Sequence, residues 1–322
     1  MKPTFTMRST IRRPRYCLLF LDIGIPANQL SSTVHPKHSR MAPSATSSSQ
    51  VRIVPAPNPD WTFGQGSNHL DTSSSSSPSS SSSPDANDKS RHHTLIDPQS
   101  PSRPSWLNYQ LLISAITPRP IAFLSTLSPD GTKANLAPFS YFNVFTHDPP
   151  TFVVGFAHPP SGPRDSFVNI RDSGECVINI ISEHYVEAAN STSIDAPYGT
   201  SEWGVSGLTA EYSCETVKAP RVKEAIFSVE AKLESIKEIE SKAQPGRISA
   251  WLVVLEGTRF WVRDDALSEK QDYVAPEVLR PIGRMGGTLY SKTTELLELP
   301  RPQFEADLGG AEGYEKLSNG KK

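Results

Sequence analysis

Cysteine occurs only three times in 322 residues, at Cys17, Cys176 and Cys214, too few and too scattered for a disulfide framework or a zinc site. A reducing compartment follows, the cytoplasm in the first instance. Cys176 sits in the apolar alternation of ECVINII and reads as a buried small hydrophobe. Nucleotide-loop glycines are missing too. No strand is followed by G-x-G-x-x-G and no G-x-x-x-x-G-K-[ST] occurs, which excludes a Rossmann fingerprint and a P-loop. The apolar run from Cys17 to Ile25 contains Asp22 and is too short for a bilayer, so no membrane span is expected. His147, His158 and His184 are far apart and poorly accompanied by carboxylates, so neither a metal site nor a triad is expected. Each reads as a surface or interface histidine.

Apolar periodicity is nearly absent from residues 1–95, where ten serines fall between Ser73 and Ser83 with only Pro78 among them. Such a tract buries too little apolar area to offset the entropy of ordering it, and 1–95 is expected to be a disordered Ser-rich leader. The leader carries ten Lys/Arg against five Asp/Glu, and the remainder 22 against 29. An acidic folded part without a basic stripe argues against nucleic acid as its partner. Lys2, Arg8, Arg12, Arg13 and Arg15 precede the first acid, Asp22, a transit-peptide composition that makes the mitochondrion the alternative location. Pro3 and Pro14 interrupt any amphipathic helix there, and Met41 is the alternative start. From Pro300 pattern is lost again, giving a loose tail at 300–322 and one domain over 96–299.

Within that domain the segment Ile116–Pro150 is the richest in information. Ile121, Phe123 and Leu124–Leu127 supply strand residues, Ser128-Pro129-Asp130-Gly131 supplies turn chemistry, and an apolar-rich run resumes from Asn135 to Phe145. A hairpin is expected. Its arms carry small hydroxyl, amide and proline positions at Ser125, Thr126, Asn135, Ala137, Pro138 and Ser140, where a core strand would carry bulk. Either these groups satisfy neighbouring backbone, or a flat, polar-edged ligand lies against them. Further strands are expected at Thr151–Phe156, Glu175–Ile181, Ile248–Leu255 and Thr258–Val262, and Ser182–Asn190 reads as a helix capped by Ser182. Ala225–Leu233 alternates apolar with polar residues, predicting one buried and one wet face. Six or more strands with few helices favour a barrel or sandwich.

A short helix is expected at Ser166–Asp172, capped by Asp165 and ended by Ser173-Gly174. Arg164, Asp165 and Ser166 at its start combine free N–H groups, a guanidinium and a hydroxyl, which favours an anion such as a phosphate. Simple capping with Arg164 in solvent is the alternative. Arg284, within Gly283-Arg284-Met285-Gly286-Gly287, is a second candidate, since glycines let backbone approach a ligand. Arg119, between Pro118 and Pro120, is expected at a barrel rim and in solvent.

TPRPIAFLST, NLAPFSYFN, DPP, RDSFVNI and GECVINI, in order over the first part of the domain, resemble the flavin reductase-like family, and its flavoredoxin-type branch in particular. The resemblance runs from about Leu107 to Tyr290 and implies a mainly β fold, an FMN-binding split β-barrel with a few short helices. It implies FMN as cofactor, its ring held by Ser125, Thr126, Asn135, Leu136, Ala137 and Ser140 and its phosphate by Arg164, Asp165 and Ser166, with Arg284 as a further ligand. The family's usual Lys-Asp-Thr is here Arg-Asp-Ser, which keeps charge and hydroxyl. An NAD(P)H-dependent oxidoreductase is implied, passing reducing equivalents to free flavin or another small acceptor. The alternative is an electron-transfer module without its own NAD(P)H site. A homodimer is also implied, with Trp203, Trp251, Phe260 and Trp261 available to core or interface.

Overall fold

The computed structural model of the chain describes residues 51–67, 93–197 and 200–320, all within one compact unit, Ser48–Lys322. For residues 1–50 and 68–92 the expected disordered leader lies outside the described residues. In chain order the strands are β1 (Arg52–Pro55), β2 (Ala122–Leu127), β3 (Ala134–Phe139), β4 (Phe142–His147), β5 (Pro150–Ala157), β6 (Glu175–Ile180), β7 (Ala210–Glu211), β8 (Arg221–Val222), β9 (Phe227–Glu240), β10 (Ile248–Val262), β11 (Ile282–Arg284), β12 (Tyr290–Lys292) and β13 (Glu295–Glu298). The helices are α1 (Ser105–Ala115), α2 (Asp165–Ser173), α3 (Val186–Ser191), α4 (Trp203–Ser206), α5 (Pro276–Leu279) and α6 (Gly310–Asn319).

Seven strands form one sheet in the order β3-β2-β6-β9-β10-β5-β4, antiparallel throughout. The mainly β split barrel expected from the sequence is present. Its first hairpin pairs β2 with β3 from Ala122↔Phe139 to Leu127↔Ala134. Asp130 pins the turn, its Oδ1 accepting from Ser128 Oγ (2.6 Å), Thr132 Oγ1 (2.8 Å) and Thr132 N (3.1 Å). Those bonds, the one from Ser128 foremost, hold the carboxyl down to about 2.

The second arm is not one strand. It breaks after Phe139, and β4 crosses to the far edge of the sheet to pair with β5. The sheet rolls so that Phe139 on β3 packs on Phe156 of β5, ring centroids 4.7 Å apart. Helix α2 fills the mouth, where Phe167 stacks on Trp251 at 4.2 Å and Ile170 joins Ala122, Leu124 and Phe156 in the core. A second cluster covers the outer side, with Ile121, Phe123 and Leu136 against Tyr185, Trp203 and Ile282. Strand β2 is therefore buried on both faces, and all six of its residues are buried.

Several sequence expectations need correction. Ser228 and Glu230 on β9 are buried, not wet, because the barrel supplies partners on that face. Ser228 Oγ donates to Asn179 Oδ1 at 2.8 Å, and Glu230 accepts from Trp261 Nε1 at 2.7 Å and Glu215 N at 2.9 Å. The segment after Ser182 is a 3₁₀ turn at Glu183–Tyr185 followed by the short α3. Within the expected leader, β1 pairs in parallel with β13, and Arg52 bridges to Glu295. The tail beyond Pro300 contains α6. Neither short segment shows the long-range apolar periodicity by which strands and helices are read.

Candidate functional site

A cavity of about 200 Å³ opens where β3 meets the first turn of α2, and Asn135, Ala137, Arg164, Asp165, Ser166 and Glu202 are among its lining residues. The expected cap, Asp165, is instead the first helical residue, and the preceding cap position is Arg164, whose side chain makes no capping hydrogen bond. The leading N–H groups of α2 thus keep the partial positive charge expected of a helix start. Arg164 reaches out to Asp195, Nη1 to Oδ1 2.8 Å, with both side chains half or more exposed.

Deeper in, the Asn135 amide links three elements. With its nitrogen turned toward Glu202 Oε2 (2.8 Å), its oxygen accepts from Ser166 Oγ (2.8 Å) and Leu136 N (3.2 Å), and every group is satisfied. Burial pushes the Glu202 carboxyl above its usual range, against a bond from Leu136 N, and the charge of Asp165 adds to the rise. The cavity therefore offers cation and helix N–H groups at one end and a buried acid and amide at the other.

A second cavity, of about 180 Å³, shares Pro138, Phe139 and Arg164 with the first. Tyr109, Tyr141, Ser140, Arg119 and Arg284 also line it. The structure thus brings Asn135, Ala137, Arg164, Asp165 and Ser166 to one cavity and Ser140 and Arg284 to its neighbour. Ser125, Thr126 and Leu136 line neither and are fully buried. Thr126 Oγ1 accepts from Asn169 Nδ2 at 3.0 Å, while Ser125 Oγ has no partner.

Arg119 is buried rather than solvated. Its Nη1 donates to Ile113 O (2.6 Å) and Ile116 O (2.8 Å) and its Nη2 to Met285 O (3.1 Å). The carbonyls that end α1 have no partner within the helix, so a guanidinium between two prolines is drawn inward to them. The glycines beside Arg284 serve packing instead of ligand approach: a Cβ on Gly283 would lie 2.7 Å from that of Pro118. Arg284 stacks on Tyr290 at 4.5 Å and donates to Gly287 O (2.7 Å) and Leu289 O (3.0 Å). His158 Nδ1 lies 3.0 Å from Ile248 O and His184 Nε2 3.1 Å from Glu224 O. Sequence reading missed Glu202, Tyr109 and Tyr141. Glu202 and Tyr109 are lone residues in unpatterned contexts, whereas Tyr141 lies in the NLAPFSYFN block and could have been found beside Ser140.

Comparison with known proteins agrees with this architecture. Residues 114–280 match the family model described as flavin reductase like domain. An uncharacterized protein of Halalkalibacterium halodurans is 37% identical over 208 residues, 64% of this chain and 96% of the relative. The solved structure of nitrilotriacetate monooxygenase component B from Bacillus cereus aligns with a TM-score of 0.59 at 31% identity, covering 66% of this chain and all of that one. That of 2-nitrobenzoate 2-nitroreductase from Pseudomonas fluorescens aligns at 0.57 and 29% identity, covering 66% of this chain and 98% of that one.

Proposed function

The chain belongs to the flavin reductase-like family, and from that premise we propose that it is an FMN-dependent oxidoreductase that draws reducing equivalents from NAD(P)H and delivers them to free flavin or another small acceptor. The observation that carries the reading is the convergence of Asn135, Ala137, Arg164, Asp165 and Ser166, from two separate elements, on one cavity. The donor set fits the cofactor. Arg164 and the leading N–H groups of α2 suit a phosphate, Ser166 holds Asn135 from behind, and the amide, acid and backbone around Asn135–Ala137 suit a ring edge that both donates and accepts. Bound FMN would supply the hydride chemistry itself, leaving the protein to bind, orient and exclude water.

In this assignment Arg164 gives up Asp195 for the phosphate, and Glu202 holds Asn135 in the orientation that presents the β3 backbone. Ser125, Thr126 and Leu136 support the β2–β3 hairpin from behind, since their side chains do not reach the cavity.

Helix α1 spreads its apolar side chains around the circumference instead of gathering them on one face, with only Ile113 buried and Trp106, Tyr109, Leu111 and Leu112 exposed. Such a helix requires a cover. Edge strand β4 exposes Val144 and Phe145 in the same chain, and a second copy is the proposed cover for both. Sedimentation of the FMN-loaded protein as a strict monomer would remove the dimer.

Titration of the purified chain with FMN, followed by flavin fluorescence and then by NADH and NADPH oxidation with added flavin, tests the assignment. Saturable quenching and flavin-dependent oxidation are expected. Protein that leaves FMN fluorescence unchanged overturns it, and FMN that binds yet never bleaches with either nucleotide selects the electron-transfer alternative.

A further inference from the structure

Strand β1 adds almost nothing to the core, yet it is held in a defined register. Arg52, Ile53, Val54 and Pro55 lie opposite Glu295, Leu296, Leu297 and Glu298 in parallel. No residue of either strand is buried, and Ile53 is 67% exposed. What holds β1 is main chain and charge. Arg52 N donates to Thr294 O at 2.9 Å, and the Arg52 guanidinium meets the Glu295 carboxylate in an exposed ion pair. Exposed pairs contribute little, and a two-stranded ladder without a buried face is marginal in water. The attachment is therefore weak enough to open and close.

The covalent path does not dictate this pairing. Residues 68–92, which lie between β1 and α1, have a contour length of about 80 Å at ~3.3 Å per residue, so β1 meets β13 by recognition rather than by closeness in the chain. The partner strand shows what is recognised. Strand β13 reads Glu-Leu-Leu-Glu, with Leu297 53% exposed, and uncovered it would present apolar side chains beside unpaired N–H and C=O groups, an edge that recruits a further strand. The acid at its start selects a base opposite, and the leader that carries Arg52 is basic while the folded part is acidic. Pro55, with no N–H to donate, closes the ladder. Beyond it the segment turns on itself, Trp61 Nε1 donating to Gly66 O at 2.8 Å and Thr62 N to Gln65 Oε1 at 3.0 Å.

We infer that the edge of β13 is a peptide-docking site of the strand-addition type, and that its occupant is residues 52–55 of the same chain. The element it selects is an extended basic residue followed by two apolar ones, set in parallel with the base against Glu295. Occupancy of so short a ladder rests on the effective concentration, on the order of millimolar, that a covalent tether supplies. Docked, β1 joins the N-terminal and C-terminal segments of the domain. Undocked, it leaves the edge open to another extended segment of the same chemistry. The inference uses no residue of the flavin cavities and stands whether or not FMN binds.

The test is fluorescence anisotropy of a dye-labelled peptide of residues 51–67 titrated with the full chain. Val54 directs its N–H to the same side as Arg52, toward β13, so Val54→Pro disables the resident strand. The labelled peptide should bind that variant roughly tenfold more tightly than the unaltered chain, whose edge is occupied. Arg52→Glu, a change at an exposed side chain, is a second route to an emptied edge, with the same gain expected. Adding Glu295→Arg to the Val54→Pro chain should abolish binding of the peptide and transfer it to a peptide carrying Arg52→Glu. Equal binding to the unaltered and Val54→Pro chains, no binding to either up to roughly millimolar peptide, or failure of the reversed charge pair to recover binding would each overturn the inference. A fall in sedimenting mass when peptide is added to the unaltered chain would overturn it as well, because the occupant would then be the strand of a second copy.

Discussion

The two cavities on either side of Pro138 and Phe139 share Arg164 yet present opposite electrostatic characters. In the first, Arg164 faces Asp165 and Glu202, so cation and acids alternate around one space. In the second, three arginines face no acid at all. A mixed lining suits a ligand with both donors and acceptors, such as a phosphorylated heterocycle. A lining of one sign selects an anion. The difference arises from the backbone: the first cavity is built on a helix start and a strand, and the second on carbonyl-anchored arginines at the end of α1 and on β11.

Removing the shared cation should give the largest effect. A charge-assisted hydrogen bond contributes about 1.5–3 kcal/mol, so Arg164→Ala is expected to weaken FMN by roughly 10–100-fold. Riboflavin, which lacks the phosphate, should lose little. The checking measurement is a paired fluorescence titration of both flavins. Equal losses would mean that Arg164 does not meet the phosphate and that the contrast between the cavities is misassigned.

How much of this pattern the chain announces in advance depends on the range of the interactions. The hairpin turn and the Gly174 stop of α2, where φ is 74°, are local, and Ser128-Pro129-Asp130-Gly131 and Ser173-Gly174 read directly, while the helix starts one residue earlier than expected, at Asp165. Family blocks in order gave the barrel as well. What periodicity missed is set by contacts far apart in sequence. Glu202 meets Leu136 66 residues away, and Arg119 meets Met285 across 166. β9 looks half-wet by alternation, yet Asn179 and Trp261 bring partners to its polar face. Ser125 and Thr126 carry the right chemistry for a ring edge, but β2 lies at the centre of two packed clusters, and a one-dimensional pattern cannot distinguish a strand covered on both sides from one beside a cleft.

Glu202 offers a sharper, smaller test of the mixed cavity. Its carboxyl titrates above the usual range, chiefly because it is buried, so the charged form is the disfavoured one in the folded protein. Its favourable contribution to stability is complete below the unfolded carboxylate pKa and is lost as pH rises through the raised folded value. The same ionisation adds negative charge beside the proposed phosphate site. FMN affinity should therefore fall over that interval, by about fivefold for roughly 1 kcal/mol of repulsion across the cavity. Glu202→Gln should flatten both curves. Affinity in that variant that still falls with pH would point to another acid, Asp165 being the nearest candidate.

The smallest effect belongs to Asp195, which competes for Arg164 from outside. Its ion pair is half or more exposed on both sides, and such pairs contribute about 0–1 kcal/mol. Asp195→Asn releases Arg164 without removing it, so FMN should bind up to about fivefold tighter at low ionic strength. The gain should shrink toward 0.15 M salt, where the screening length is roughly 8 Å and the exposed carboxylate already counts for little. Titration of both proteins across a salt series distinguishes this from a packing effect, which would be independent of salt.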